Sequence, residues 1–216
     1  GVESNEYCIN LEKELGVRIA LVHYHLLRGG VTSVVRHQAK ALIEAGEDVL
    51  LLAGGVGEEK GSCPVAVIDA LSYDSRRDGS GGPLTPPSGR AAATEALASA
   101  MTDAMVRHWG APADVVHVHN PLIRKNTLLL GALRLLQERG LRLLLQNHDF
   151  AEDFRPDVYV GDEPYPEDCH YGAINSRDYS FLHRSGLDSA GVHLLPNAVV
   201  PIRAAEGLER TRYLYP

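Results

Sequence analysis

Short runs of unbroken apolar character alternate along this chain with longer stretches in which apolar residues recur every three or four positions. The short runs are Ile19 to His23, Val49 to Ala53, Val65 to Ile68, Asp114 to Val118, Leu141 to Gln146, His170 to Asn175 and Val192 to Leu195. They lack the strict alternation of a sheet with one wet face, so they predict strands covered on both sides. Thr32 to Ala45, Ala91 to Trp109, Thr127 to Arg139 and Arg177 to Arg184 predict helices. In the first of these, Val34, Val35, Gln38, Ala41, Leu42 and Ala45 recur at helical spacing, and Gly46 and Gly140 stand where helix ends want glycine. Strands alternating with helices predict an α/β fold: a Rossmann-like three-layer sandwich around a mostly parallel sheet of about seven strands.

Three segments break the pattern. Ser75 to Gly89 includes Arg-Arg-Asp-Gly-Ser-Gly-Gly-Pro-Leu-Thr-Pro-Pro-Ser-Gly and predicts an irregular loop. Asp149 to Asp168 is poor in apolar residues. Its Asp149, Glu152, Asp153, Asp157, Asp162, Glu163, Glu167 and Asp168 face Arg155 alone, which predicts a solvated flap that could meet a hydroxyl-rich or cationic acceptor. Residues 200–216 are polar and close on Arg-Tyr-Leu-Tyr-Pro, a pattern suited to a new strand. The expected organisation is an N-terminal extension over 1–16, one domain over 17–199, and a linker over 200–216 leading to a second domain.

Composition narrows the function. The chain has 216 residues, 44% of them hydrophobic, and a net charge of −7. No basic run is present, so a nucleic-acid footprint is not expected. No apolar stretch approaches the roughly 20 residues of a membrane span. Gly1 to Gly16 is acidic and lacks the basic start of a secretory signal. Cys8, Cys63 and Cys169 are too widely spaced for a Cys-based zinc site, and their odd number argues against a disulfide framework. A reducing cytoplasm is the expected location.

Four polar clusters follow strands: His23 and His25 with Arg28, Gly29 and Gly30; His117, His119 and Asn120; Asn147, His148 and Asp149; Asn175, Ser176 and Arg177. In an open parallel sheet, ligands bind beyond the carboxyl ends of the strands. All four clusters are therefore expected on one edge. Gly29 and Gly30 sit between a strand and a helix, where bare N–H groups and the helix dipole favour an anion, most often a phosphate. The fingerprint G-x-G-x-x-G is absent, which disfavours a standard dinucleotide site. His148 follows the most apolar run and is the leading candidate for chemistry, with Asp149 beside it to orient it or stabilise charge. His23-x-His25 and His117-x-His119 keep a metal-dependent hydrolase open as an alternative. Pro196 and Asn197 form a turn after the last run, with Asn197 a further candidate. A non-catalytic sugar- or partner-binding module and a sugar-nucleotide epimerase also stay open.

In order and spacing, His25-Leu-Leu-Arg-Gly-Gly-Val, Ala41-Leu-Ile-Glu-Ala-Gly, Asp114-Val-Val-His-Val-His-Asn-Pro, Leu145-Gln-Asn-His-Asp-Phe and Leu195-Pro-Asn-Ala-Val resemble the N-terminal domain of GT-B glycosyltransferases, in particular the large retaining family four. The family's closing Pro-Asn-Gly turn reads Pro196-Asn197-Ala198 here. The resemblance implies a nucleotide-sugar donor as substrate, a hydroxyl-bearing acceptor, and neither metal nor other cofactor. It implies that Gly29 and Gly30 lie against the donor diphosphate and that His148 lies beside the transferred sugar. It places His119 and Asn120 in the acceptor cleft, where His25, Arg28, Asn175, Arg177 and Asn197 are expected to join them. It also implies a second domain holding most nucleotide contacts, without which this acceptor-side half is expected to be inactive.

Overall fold

Each of the seven apolar runs forms a strand, and all seven join one sheet. The computed structural model describes residues 16–58, 61, 63–74, 89–150 and 163–197. The strands are β1 (Arg18–His23), β2 (Asp48–Ala53), β3 (Val65–Val67), β4 (Val115–His119), β5 (Arg142–Asn147), β6 (His170–Ala173) and β7 (Gly191–Leu194). Their order is β3-β2-β1-β4-β5-β6-β7, and every pairing is parallel. The helices are α1 (Gly30–Glu44), α2 (Arg90–Trp109), α3 (Leu129–Glu138) and α4 (Ser176–Arg184). The expected α/β, Rossmann-like architecture is the one observed.

Right-handed crossovers that leave β1 and β4 in opposite directions put helices on opposite faces. On one face, Val35 and Ala39 of α1 pack with Leu21, Val49 and Leu51. On the other, Ala20, Val22, Leu52, Val116, Val118, Leu143 and Leu145 meet Leu97, Met101 and Met105 of α2 and Leu129, Leu133 and Leu136 of α3. Burying each large side chain contributes about 1.5–3 kcal/mol, so this second, larger cluster dominates the core. Gly131 lets α3 approach α2 closely: a Cβ there would lie 2.8 Å from Thr94 Cγ2. At the amino edge of the sheet, Arg18 closes a bidentate pair on Asp114, with bonds of 3.0 and 2.7 Å, away from the edge that concerns function.

Several details differ from the sequence expectation. On α1 the buried positions are Thr32, Val34, Val35 and Ala39, while Ala41 and Ala45 are exposed. Ala41 stands about 200° around the axis from Ala39, so a helix resting on one sheet face cannot bury both. The helix also begins two residues earlier, at Gly30. Helix α3 begins at Leu129 rather than Thr127, and Asn126 Oδ1 takes the Leu128 and Leu129 N–H groups in the turn that leads into it. Strand β6 ends at Ala173, and Asn175 caps α4 by accepting from the Asp178 N–H. The edge strands are not covered on both faces: Val67 is 51% exposed and Leu194 46%.

The Ser75 to Gly89 loop (Gly89 itself apart), most of the acidic flap (residues 151–162), and the outer segments 1–15 and 198–216 lie outside the described residues. Among the described residues, Cys63 and Cys169 are free thiols and no helix is long and apolar enough to cross a membrane.

Candidate functional site at the carboxyl edge of the sheet

The loops after β1, β2, β4 and β5 are stitched together where their strands end. Tyr24, 1% exposed, donates its hydroxyl to the carbonyls of Asn120 (2.8 Å) and Ile123 (3.1 Å). The Leu26 N–H reaches the Gly55 carbonyl at 2.7 Å. Asn120 adopts a left-handed backbone (φ 53°), a conformation that asparagine tolerates better than most residues. It donates its own N–H to the Gln146 carbonyl at 2.8 Å. Its Oδ1 accepts the His148 N–H at 2.6 Å and its Nδ2 donates to Asp149 Oδ2 at 2.9 Å. One side chain thus fixes both residues of the β5 loop over the end of β4.

His117 and His119 alternate along β4 and share the face that carries α1. Their rings stack at 4.6 Å, and the His148 ring meets His119 end to end, with centroids 5.2 Å apart. His119 Nδ1 lies 2.9 Å from His148 Nε2. Gln38 of α1 donates to Gln146 Oε1 at 2.9 Å, and His117 Nε2 lies 2.9 Å from the same oxygen. An amide oxygen only accepts, so His117 carries its proton on Nε2. His23 stands edge-on to His119 at 6.4 Å and beside His25 at 5.6 Å. Burial pushes the His23 and His117 imidazoles down to about 4, and holds His119 well below its usual range. Burial also lowers His148, against the opposing pull of Asp149. The array is therefore neutral at pH 7, a set of hydrogen-bonding rings and not a cationic patch.

Gly29 and Gly30 open α1 beside this array. Thr32 Oγ1 donates to the His25 carbonyl at 3.4 Å, which ties the first helical turn to the β1 loop. The helix start has no side-chain cap and no acidic residue in its first turn. Gly29 has φ 174°, an extended backbone open to any residue, and Gly30 has no positive φ either. A turn that needs glycine is thus not the explanation for the pair. A Cβ on Gly29 would meet only the Leu27 carbonyl at 3.9 Å, and one on Gly30 would meet nothing within 4 Å. The protein's own packing does not demand these glycines; a ligand lying against the backbone would.

The other candidates are placed less centrally. Arg28 is exposed in the β1 loop. Asn175 and Arg177 stand at the end of β6, but the Asn175 side chain is turned to Asp178 and Arg177 lies over the Phe181 ring at 5.6 Å. Asn197 follows β7 with its Oδ1 buried and without a hydrogen-bond partner among the described residues. His117 and His119 do not converge as ligands: they stack nearly parallel, and each has a ring nitrogen engaged elsewhere. Among the described residues no group of three His, Cys, Asp or Glu could hold a metal ion.

Sequence reasoning missed Gln146 and Gln38, which bridge β5 to α1. The signal was a glutamine ending an otherwise apolar strand, and a second glutamine on the buried side of a helix. It also missed Tyr73, whose ring meets His25 at 5.0 Å and Tyr24 at 5.1 Å.

The depressed histidines set a pH dependence. The folded state keeps these rings neutral, whereas the unfolded chain takes up protons near pH 6.5. Stability is therefore complete above pH 6.5 and falls as pH drops from 6.5 towards 4, by about 3 kcal/mol for each of His23 and His117. Urea unfolding at pH 7 and pH 4.5 should show the loss, and His117→Gln should flatten it. A slope unchanged by that substitution would mean that His117 takes up its proton at the same pH in the folded and the unfolded chain.

A sequence model described as a glycosyl transferase 4-like domain matches residues 29–200. Mannosylglucosyl-3-phosphoglycerate synthase of Petrotoga mobilis is 26% identical over 201 residues; the match covers 83% of this chain and 36% of that protein. Among solved structures, an alpha-glucosyltransferase in complex with UDP and a 13-mer DNA is 14% identical, with a TM-score of 0.39 over 68% of this chain and 34% of its own. The catalytic domain of Starch Synthase IV from Arabidopsis thaliana, bound to ADP and acarbose, is 13% identical, with the same TM-score over 63% and 34%. The chain thus spans about a third of the length of the proteins it matches. The family match covers most of the chain, from the Gly29-Gly30 pair to beyond β7: this chain belongs to the glycosyl transferase 4-like domain family.

Proposed function

We propose that this chain is the acceptor-side half of a two-domain cytoplasmic glycosyltransferase. The enzyme moves a sugar from a nucleoside-diphosphate donor to a hydroxyl-bearing acceptor, with retention at the anomeric carbon. The observation that carries the reading is the bare start of α1, where two glycines that packing does not require leave the backbone open. As the glycosidic bond breaks, negative charge grows on the leaving diphosphate. The amides at Gly29 and Gly30 and the α1 dipole stabilise that charge without reorganising, and basic groups on the second domain add to it. In this reading amides and the dipole serve where other transferases use a metal.

His148 stands one residue beyond β5, held by Asn120, and positions the donor sugar against its incoming partner. Asp149 keeps a carboxylate beside that ring. His25 and Arg28 line the acceptor side over the buried His119 and Asn120, with Asn197 following β7 and Asn175 and Arg177 at the outer end. One wall alone cannot exclude water, so the activity belongs to the two-domain protein.

The acceptor is anionic in this reading. The Petrotoga relative is named for a phosphoglycerate, and Lys125 lies 5.8 Å over the Tyr73 ring that His25 abuts, with Arg28 exposed on the same edge. These cations stand out in a chain of net charge −7.

Gly30→Val in the full-length protein tests the donor site. It should leave stability within about 1 kcal/mol and cut kcat/KM by about a hundredfold. Normal turnover would end the proposal. For the acceptor, a phosphorylated sugar acid should be used better than its dephosphorylated form, and Lys125→Ala should narrow that gap. Equal use of both by the unmodified enzyme would point to a neutral acceptor.

A further inference from the structure

His119 has one ring nitrogen against His148 and the other, Nε2, buried without a hydrogen-bond partner among the described residues. Only one proton can lie between His119 Nδ1 and His148 Nε2, and two neutral tautomer pairs place it there. In the first, His148 donates from Nε2, and His119 must then carry its own proton on Nε2, an N–H buried with nothing to receive it. In the second, His119 donates from Nδ1, and the buried Nε2 is a bare lone pair. Orphaned buried N–H groups are rarer in folded proteins than under-satisfied acceptors, so the second pair is favoured. The neighbouring ring obeys the same rule: His117 spends its proton on Gln146 and leaves a lone pair on its other nitrogen.

We infer that His119 is the positioning residue of the site: by donating Nδ1–H to His148 Nε2, it fixes His148 as the tautomer protonated on Nδ1 and makes it a hydrogen-bond donor to the bound substrate. The 2.9 Å bond, the 26° angle between the two ring planes and the Asn120 clamp on the His148 backbone together define both the tilt and the proton position of that ring. His148 is then poorly suited to act as a base. Its basic nitrogen is already occupied, and adding a proton there would set two N–H groups head to head unless His119 also changed tautomer. The groups packed around the pair resist added charge: His117 and His23 are buried neutral rings, and among the described residues Asp149 is the carboxylate whose charge acts on His148 in the opposite sense. The catalytic contribution of His148 is therefore hydrogen bonding and alignment, not proton abstraction.

The inference rests on the proposed role of His148 for its consequence, but its test does not. Long-range 1H–15N spectra of 15N-histidine-labelled protein read each tautomer directly. His148 should show a pyrrole-type Nδ1 and a pyridine-type Nε2, and His119 a pyrrole-type Nδ1. His119→Phe keeps a ring against His117 and removes the proton; His148 should then lose its single tautomer, and kcat of the full-length enzyme should fall by tenfold or more. His119→Asn puts an amide donor near the Nδ1 position and should restore both. A His148 protonated on Nε2 in the unmodified protein would overturn the inference, whether or not either variant folds. A correct tautomer together with full activity in His148→Ala would leave the His119–His148 bond standing and refute the proposed role of His148 in transfer.

Discussion

Asn120 is the constraint from which the site follows. A left-handed residue at the end of β4 turns its side chain towards the next loop, and both ends of that side chain are used: the oxygen holds the His148 backbone and the nitrogen holds the Asp149 carboxylate. Its carbonyl receives the Tyr24 hydroxyl and its N–H meets β5. Three loops that would otherwise move separately are thereby referred to one residue. A reacting geometry assembled from loops needs such a hub, because misplacement by about 1 Å can cost a hundredfold in rate. The sheet supplies the hub in turn, since β4 is central and its preceding residues Val116 and Val118 are fully buried.

The polar array beneath that hub replaces core. On the α1 side, β4 and β5 present His117, His119 and Gln146 where a helix-covered strand would ordinarily present aliphatic residues. The substitution lowers stability below pH 6.5 and depends on each ring staying neutral. In the proposed function it provides neutral rings under a groove for a polar ligand. Neutral imidazoles suit such a groove, since they hydrogen-bond hydroxyls without adding positive charge that would compete for the diphosphate. In this account the cationic work falls instead to the start of α1 and to rim residues.

The fold was legible because a parallel sheet covered by helices writes itself as apolar runs of fixed length, and all seven were present. Errors fell where the environment is one-sided. Val67 and Leu194 lie on edge strands, and Ala41 and Ala45 belong to a helix with a single buried stripe. The site was legible in outline, since clusters that follow strands must share the carboxyl edge of a parallel sheet. The internal wiring was not. Nothing in the spacing of Gln38 and Gln146, 108 residues apart, announces that their amides meet. Asn175 shows the converse: its place after a strand suggested a ligand contact, and its side chain is a helix cap.

The account's central claim is that the open start of α1 receives the donor diphosphate. The most direct measurement is a crystal structure of the full-length protein with a nucleoside diphosphate bound. Phosphate oxygens should lie within about 2.7–3.2 Å of backbone N–H groups at Gly30 and Val31, with the His148 ring facing the space beside the terminal phosphate. A diphosphate held elsewhere, with Gly29 and Gly30 still facing solvent in the closed two-domain form, would contradict the account.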